Sequence, residues 1–314
     1  MRLKVKKTDL LYLSLLSFVL VSTTAISLNS GFDNIVTYIY PLKSKAYSDL
    51  PVLKDTAKYP ILSAQSVMAV DLVSGVTLYE KDPNKALLPA STTKIVTALV
   101  ALDTYESEQV LKVGRISVEG QKMGLVTGEE IKFIDLLNGL LIYSANDAAE
   151  VLASNHPGGR ELFIALMNKK VKGLGLTNTH FSNPTGLDNG AQYSTTRDLM
   201  VVAKYSIENP LFAEIVGTKE KIVKSVDGKI THKLTNINKL LGSVDGVKGV
   251  KTGWTENARE NLVVYIERNN RKVITVVLGS SDRFGETKEL IEWIFENYEW
   301  QSVILPRTSS AYSP

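Results

Sequence analysis

Residues 89–102 read Pro89-Ala90-Ser91-Thr92-Thr93-Lys94-Ile95-Val96-Thr97-Ala98-Leu99-Val100-Ala101-Leu102. Ile95, Val96, Ala98, Leu99, Ala101 and Leu102 recur at the spacing of one helix face, so a buried helix starts here. Ser91 stands where an N-cap residue stands. Ser91 and Lys94 are three apart at the helix start, which puts both side chains on one face. A serine hydroxyl is a poor nucleophile unless a nearby base takes its proton. No Ser-His-Asp set is evident in the chain, so the base expected for Ser91 is the Lys94 amine. An amine serves as a base only if its pKa falls toward neutrality, which burial and a second cation both bring about. The same helix start aims the Ser91 backbone N–H at the place where an oxyanion would form.

Working outward, the flanks of this helix read as strands. Val67, Ala69 and Asp71 alternate up to Ser74-Gly75, and Val76 and Leu78 continue beyond it, which is a hairpin. Near the other end, Leu262–Ile266 and Lys272–Leu278 are rich in Val and Ile and flank Asn269-Asn270, a second hairpin. A third turns at Asp227-Gly228 within 221–234. Between them the pattern is helical: Phe133–Ile142, Asp147–Leu152, Phe163–Leu174 and Asp198–Glu208, the last ended by Asn209-Pro210. Glu286–Tyr298 closes the chain as an amphipathic helix. Strands near both ends and helices between them make an α/β (α+β) fold. An antiparallel sheet forms from the N- and C-terminal strands, helices flank it, and a mostly helical lobe is inserted.

Two further short words carry chemistry. Ser144-Ala145-Asn146 falls in the break between two helices, where side chains project from a fixed loop. A hydroxyl there can relay a proton between two lysines, and an amide can hold a substrate carbonyl. Lys251-Thr252-Gly253 leads toward the last hairpin. Its cation and hydroxyl can grip a terminal carboxylate, and its glycine lets a substrate backbone lie close to a strand. Lys251 is also the second cation that Lys94 requires. Each word alone has a plainer reading: Ser91 as a cap, Ser144-Ala145-Asn146 as a helix break, Lys251-Thr252-Gly253 as a loop. Ser27-Leu28-Asn29 matches the second pattern by chance. Order and context together favour the catalytic reading.

The net charge of +3 is small for 314 residues, and no long basic run occurs, so nucleic acid is not a suggested partner. With no cysteine, disulfides, thiolate metal sites and a lipoprotein anchor are excluded. His156, His180 and His232 lie far apart, and neither a metal site nor a cofactor is expected. Arg2, Lys4, Lys6 and Lys7 precede an apolar stretch from Leu10 to about Leu28. Positive charge before an apolar segment places the body of the protein outside the cytoplasmic membrane. Residues 1–28 are therefore expected to anchor the chain, with a cleaved signal and secretion as the alternative. Residues 29–60 are read as a linker, 61–305 as the enzymatic domain and 306–314 as a tail.

The three words in this order resemble the low-molecular-mass penicillin-binding D-alanyl-D-alanine carboxypeptidases. Further stretches carry the same resemblance: Met123-Gly124-Leu125, Ser144 through Ala149, Thr179 through Pro184 with Gly186-Leu187, Tyr193-Ser194-Thr195 and Lys251 through Thr255. It runs from about Ser63 to Phe295. It implies a β-lactamase/transpeptidase-like fold with a sheet of about five strands. It also implies that Ser91 attacks the D-Ala-D-Ala carbonyl of a peptidoglycan stem peptide, with Lys94 as base and Ser144 as proton relay. Asn146 would orient the substrate amide, Lys251 and Thr252 would hold the carboxylate, and Gly253 would let the substrate lie close. The backbone N–H groups of Ser91 and Trp254 would form the oxyanion hole, and β-lactams would acylate Ser91.

Three departures stand out. About sixty residues follow Gly253 and are taken up by the hairpin and last helix, so the second β-rich domain and membrane helix of many members are expected to be missing. Arg259 stands where the family usually has glycine. Arg283 falls at the start of the last helix and is left out of the site. On the same scaffold, a D,D-endopeptidase, a transpeptidase and a β-lactamase are the alternatives. The only Glu-x-x-x-Asn match, Glu80 to Asn84, lies upstream of Ser91 and argues against the last. A non-catalytic peptidoglycan-binding module has no chemical need for Ser91, Lys94, Ser144, Asn146 and Lys251 together.

Overall fold

The structure is a computed structural model that describes residues 49–188 and 191–302. The strands are β1 (Leu50–Leu53), β2 (Ser66–Asp71), β3 (Thr77–Lys81), β4 (Val110–Lys112), β5 (Glu130–Lys132), β6 (Glu220–Lys224), β7 (Thr231–Thr235), β8 (Val247–Thr255), β9 (Arg259–Arg268), β10 (Arg271–Ser280) and β11 (Tyr298–Gln301). The helices are α1 (Lys94–Thr104), α2 (Phe133–Ile142), α3 (Asn146–Ser154), α4 (Gly159–Gly173), α5 (Thr196–Ile207), α6 (Pro210–Val216) and α7 (Arg283–Asn297). A five-stranded antiparallel sheet has the order β3-β2-β10-β9-β8. It joins N-terminal to C-terminal strands, as the sequence implies, and α1 to α6 with two small two-stranded sheets, β4-β5 and β6-β7, form the intervening lobe.

The central strands are buried on both faces, which is why they read as nearly continuous apolar runs. Val263, Ile274, Val276 and Leu278 face a core shared with α1 and the helical lobe. Leu262, Val264, Ile266, Val273 and Val277 point the other way, onto Leu290, Ile291 and Ile294 of α7. The β9–β10 turn puts Asn269 and Asn270 at φ 53° and 60°, the positive pair that a two-residue hairpin with the right twist demands. Helix α1 is buried along Lys94–Ala101, so its first residue begins inside the molecule.

Several elements differ from expectation. Part of the stretch read as a linker packs on the fold: β1 pairs with β11, and Lys58 O accepts from Trp293 Nε1 at 2.6 Å. The fold therefore includes residues before 61; a four-residue strand whose partner lies at the other end of the chain leaves no local signal. Asn209-Pro210 ends α5 and also starts α6, because Asn209 Oδ1 accepts from the Leu211 and Phe212 N–H groups with proline at the first helical position. Lys251-Thr252-Gly253 lies inside edge strand β8, where glycines interrupt the apolar pattern. Residues 1–28 and 306–314, read as anchor and tail, lie outside the described residues. Among the described residues no helix is long and apolar enough to cross a membrane.

Candidate active site

The chain enters α1 through a tight turn. Ala90 is held at φ 47°, and Ala90–Thr93 form a single 3₁₀ turn that runs into the helix. Ser91 is therefore inside the turn rather than capping it; Pro89 occupies the cap position with no side-chain hydrogen bond. The Ser91 hydroxyl is left free for Lys94, whose Nζ donates to Ser91 Oγ at 2.9 Å and to Thr185 O at 2.5 Å. Two glycines make room for the turn. A Cβ on Gly186 would lie 1.9 Å from Ala90 O, and one on Gly253 would lie 3.1 Å from Ser91 N. Strand β8 thus approaches the nucleophile backbone as closely as glycine permits.

Lys94 is fully buried, and desolvation lowers its pKa to about 7, against a smaller opposing pull from Glu150 and Asp147. A second buried lysine lies behind the cleft: Lys251 Nζ donates to Ser144 Oγ at 2.8 Å and to Thr252 O at 3.0 Å. Burial first, then the charges of Lys94 and Arg283, hold Lys251 well below the ordinary lysine range. The Lys94 charge thus disfavours protonation of Lys251, while Lys94 itself is lowered by burial. Each touches one serine hydroxyl, Ser91 or Ser144, and both serines line the same cleft.

Ser144 sits at φ 61° between α2 and α3, a position that turns the chain sharply and starts α3 at Asn146. Asn146 is pinned by two bonds to one loop: its N–H donates to Gln121 O and its Nδ2 to Glu119 O, each at 2.7 Å. Its Oδ1 is buried and accepts from nothing among the described residues. A buried acceptor without a partner beside a cleft is a place for a ligand N–H. Asp147 holds the same loop, accepting from the N–H groups of Met123, Gly124 and Leu125 at 2.9–3.1 Å.

The cleft encloses about 960 Å³ and is lined by Ser91, Ser144, Asn146, Thr252, Gly253, Trp254 and Arg283, with 117–121 as its outer wall. All eight residues expected from the sequence converge here. Lys94 and Lys251 lie beneath the floor, while Trp254 stands exposed at the rim. Edge strand β8 pairs with β9 on one side and borders the cleft on the other, the arrangement that accepts an extended peptide. A second hollow of about 760 Å³, between α1, α4 and α5, holds none of these groups.

Arg283 was left out on sequence grounds and belongs to the cleft. It does begin α7, but the turn after β10 brings it back over β8, where its Nη1 donates to Gly253 O at 2.9 Å. Its Nε is buried without a partner among the described residues. No motif marks it, and only the sheet order brings it to Gly253. Arg259, at the family's glycine position, takes φ 59°, a conformation that glycine adopts without strain. The side chain points outward, so packing at the bend is kept.

The D-alanyl-D-alanine carboxypeptidase family model (Peptidase_S11) matches residues 54–282. The chain is 34% identical over 246 residues to the D-alanyl-D-alanine carboxypeptidase DacF of Bacillus subtilis, covering 75% of this chain and 63% of that protein. It thus spans less than two thirds of that relative. It is 35% identical to DacB2 of Mycobacterium tuberculosis, covering 74% of this chain and 82% of that one. It is 34% identical to the D-alanyl-D-alanine endopeptidase of Escherichia coli, covering 76% and 79%. Among solved structures, the Streptomyces K15 DD-transpeptidase superposes with a TM-score of 0.72 at 32% identity, covering 76% of this chain and all of that one.

Proposed function

Because this chain belongs to the D-alanyl-D-alanine carboxypeptidase family of serine peptidases, we propose that it removes the terminal D-alanine from peptidoglycan stem peptides through an acyl-enzyme on Ser91. The observation that carries this reading is the 2.9 Å contact between Ser91 Oγ and a buried Lys94 amine whose pKa is about 7. An amine so placed is substantially neutral at working pH and can take the serine proton.

In the proposed sequence the stem peptide lies along β8, with its amide N–H on Asn146 Oδ1. Ser91 Oγ attacks the carbonyl of the D-Ala-D-Ala bond while Lys94 accepts the hydroxyl proton. The Ser91 and Trp254 backbone N–H groups stabilise the oxyanion. The C–N bond then breaks as the proton held by Lys94 passes by way of Ser144, itself hydrogen-bonded to Lys251, to the departing D-alanine nitrogen, which leaves Lys94 neutral and Ser144 a hydroxyl. Water then attacks the ester while neutral Lys94 takes its proton, and Lys94 returns that proton to Ser91 Oγ as the acyl group leaves. Lys251 lies below the floor, so the terminal carboxylate falls to Thr252 and Arg283, with Lys251 acting through Ser144. A β-lactam amide enters the same cycle and acylates Ser91. Residues 1–28 would hold the enzyme on the outer face of the cytoplasmic membrane, or release it if cleaved.

One observation supports a second reading. The chain covers most of the length of relatives named endopeptidase and transpeptidase, and acylation of Ser91 is common to all three reactions. Labelling with a fluorescent penicillin tests the shared step: the wild type should carry covalent label and Ser91→Ala none. Release of D-alanine from a stem pentapeptide then selects the carboxypeptidase, and cleavage of a cross-linked dimer selects the endopeptidase. A folded wild type that takes no label would refute the enzymatic reading and favour the binding module.

A further inference from the structure

The outer wall of the cleft is clamped from outside by a buried pair that the mechanism does not use. His232, on β7, places Nδ1 3.0 Å from Met123 O and Nε2 2.7 Å from Glu129 Oε1. Both side chains are almost completely enclosed. A carbonyl oxygen only accepts, so Nδ1 carries hydrogen, and the Nε2–Oε1 contact holds a second one. Glu129 Oε2 in turn accepts from Val126 N–H at 3.0 Å. Val226, in the turn of the same hairpin, donates its N–H to Glu130 O at 2.7 Å.

These bonds grip one end of a loop whose other end grips Asn146. Glu119 O and Gln121 O accept both Asn146 hydrogen bonds, Met123 to Leu125 bind Asp147, and Met123 O and Val126 N end on the His232–Glu129 pair. From 119 to 126 the loop has no helix or strand ladder of its own. Its shape is set by these side chains; of the three anchors Asn146 lines the cleft, while Asp147 and the His232–Glu129 pair stand behind it, the pair at the far end of the loop. An amide whose free oxygen must meet a substrate N–H is only as well aimed as the carbonyls that hold its nitrogen.

We propose that His232 is a positioning residue: through Met123 O and Glu129 it fixes the 119–126 wall, and through that wall the Asn146 amide that receives the substrate. This inference rests on the enzymatic reading above. Removing His232 alone would strand a buried carboxylate and unfold the protein for a trivial reason. The informative variant is the paired replacement His232→Leu with Glu129→Leu, which removes charge and partner together. It is combined with Asn146→Ala in a double-mutant cycle on the full chain. The readout is the second-order rate of Ser91 labelling by a fluorescent penicillin, with folding checked by thermal melting.

The paired replacement should slow labelling about tenfold in the wild-type background and have no further effect once Asn146→Ala is present. Glu129→Gln, which keeps every hydrogen bond by donating to a neutral imidazole, should label like the wild type. A merely structural pair would give equal losses in both backgrounds. Equal losses, or wild-type labelling by the paired variant, would overturn the positioning role. Failure of the wild type itself to label would instead refute the enzymatic reading and this inference with it.

Discussion

Replacing Lys94 by Met separates what this residue contributes to chemistry from what its burial costs the fold. The Lys94 amine has a pKa of about 7 in the folded chain against 10.5 for an exposed lysine. Above the unfolded value both states are neutral and no penalty exists. As pH falls below that value, the unfolded chain takes up a proton that the folded chain does not, and stability drops by about 1.4 kcal/mol per unit. The penalty levels off near the folded pKa at about 5 kcal/mol. Methionine carries no such penalty but forfeits the hydrogen bonds to Ser91 Oγ and Thr185 O, of which the stranded carbonyl costs about 1–3 kcal/mol. Lys94→Met should therefore be more stable than wild type by about 2–4 kcal/mol at pH 7. The advantage should shrink steadily and vanish or reverse by about pH 10. The burial penalty of Lys251 is common to both proteins, while loss of the Lys94 charge relieves Lys251 in the variant and adds to its advantage as pH falls. Urea denaturation of both proteins across this range measures the difference, and penicillin labelling should fall by about 10²- to 10⁴-fold. A stability difference that stays constant across the range, or labelling that survives, would refute both the neutral buried amine and its role as base.

Two smaller changes probe the frame around the nucleophile. Gly253→Ala would place a methyl 3.1 Å from Ala90 Cβ, Pro89 O and Ser91 N, so the nucleophile turn must shift. Labelling should fall at least about tenfold while the protein loses only about 1–3 kcal/mol, and an unchanged labelling rate would show that the turn yields freely. Arg259→Gly relieves a left-handed conformation that costs an L-residue about 1–2 kcal/mol, partly offset by the freer unfolded chain. The urea midpoint should correspond to a gain of about 0.5–1 kcal/mol with labelling unchanged, and a loss would mean that the Arg259 side chain makes a contact worth more than the strain.

Much of the architecture was legible because it is written in local periodicity. The break at Ser144-Ala145-Asn146 separated two apolar helical runs, and the structure ends α2 at Ile142 and begins α3 at Asn146. Asn269-Asn270 announced the last hairpin through the one backbone conformation asparagine tolerates better than most residues. Strand β8 was not legible as a strand, since Lys248, Gly249, Lys251 and Gly253 break its alternation. Gly253 and Lys251 answer to the nucleophile turn and to Ser144 rather than to the sheet. Strand β1 and helix α6 were missed for a related reason: a four-residue strand depends on a distant partner, and Asn209-Pro210 reads as a stop before it reads as a start.

For the site itself, the sequence alone determined which groups take part. The Ser91–Lys94 spacing on one helix turn, the serine and amide in a helix break, and the cation before a glycine are all properties of neighbours in the chain. Tertiary structure decided what state those groups are in. Lys94 is near neutrality because the folded lobe excludes water and Thr185, 91 residues away, supplies its second acceptor. Asn146 offers a free oxygen because a separate loop has taken its nitrogen, and Arg283 belongs to the cleft because the turn after β10 returns it to β8. Desolvation and hydrogen-bond vacancy depend on everything packed around a group, so no spacing along the chain encodes them.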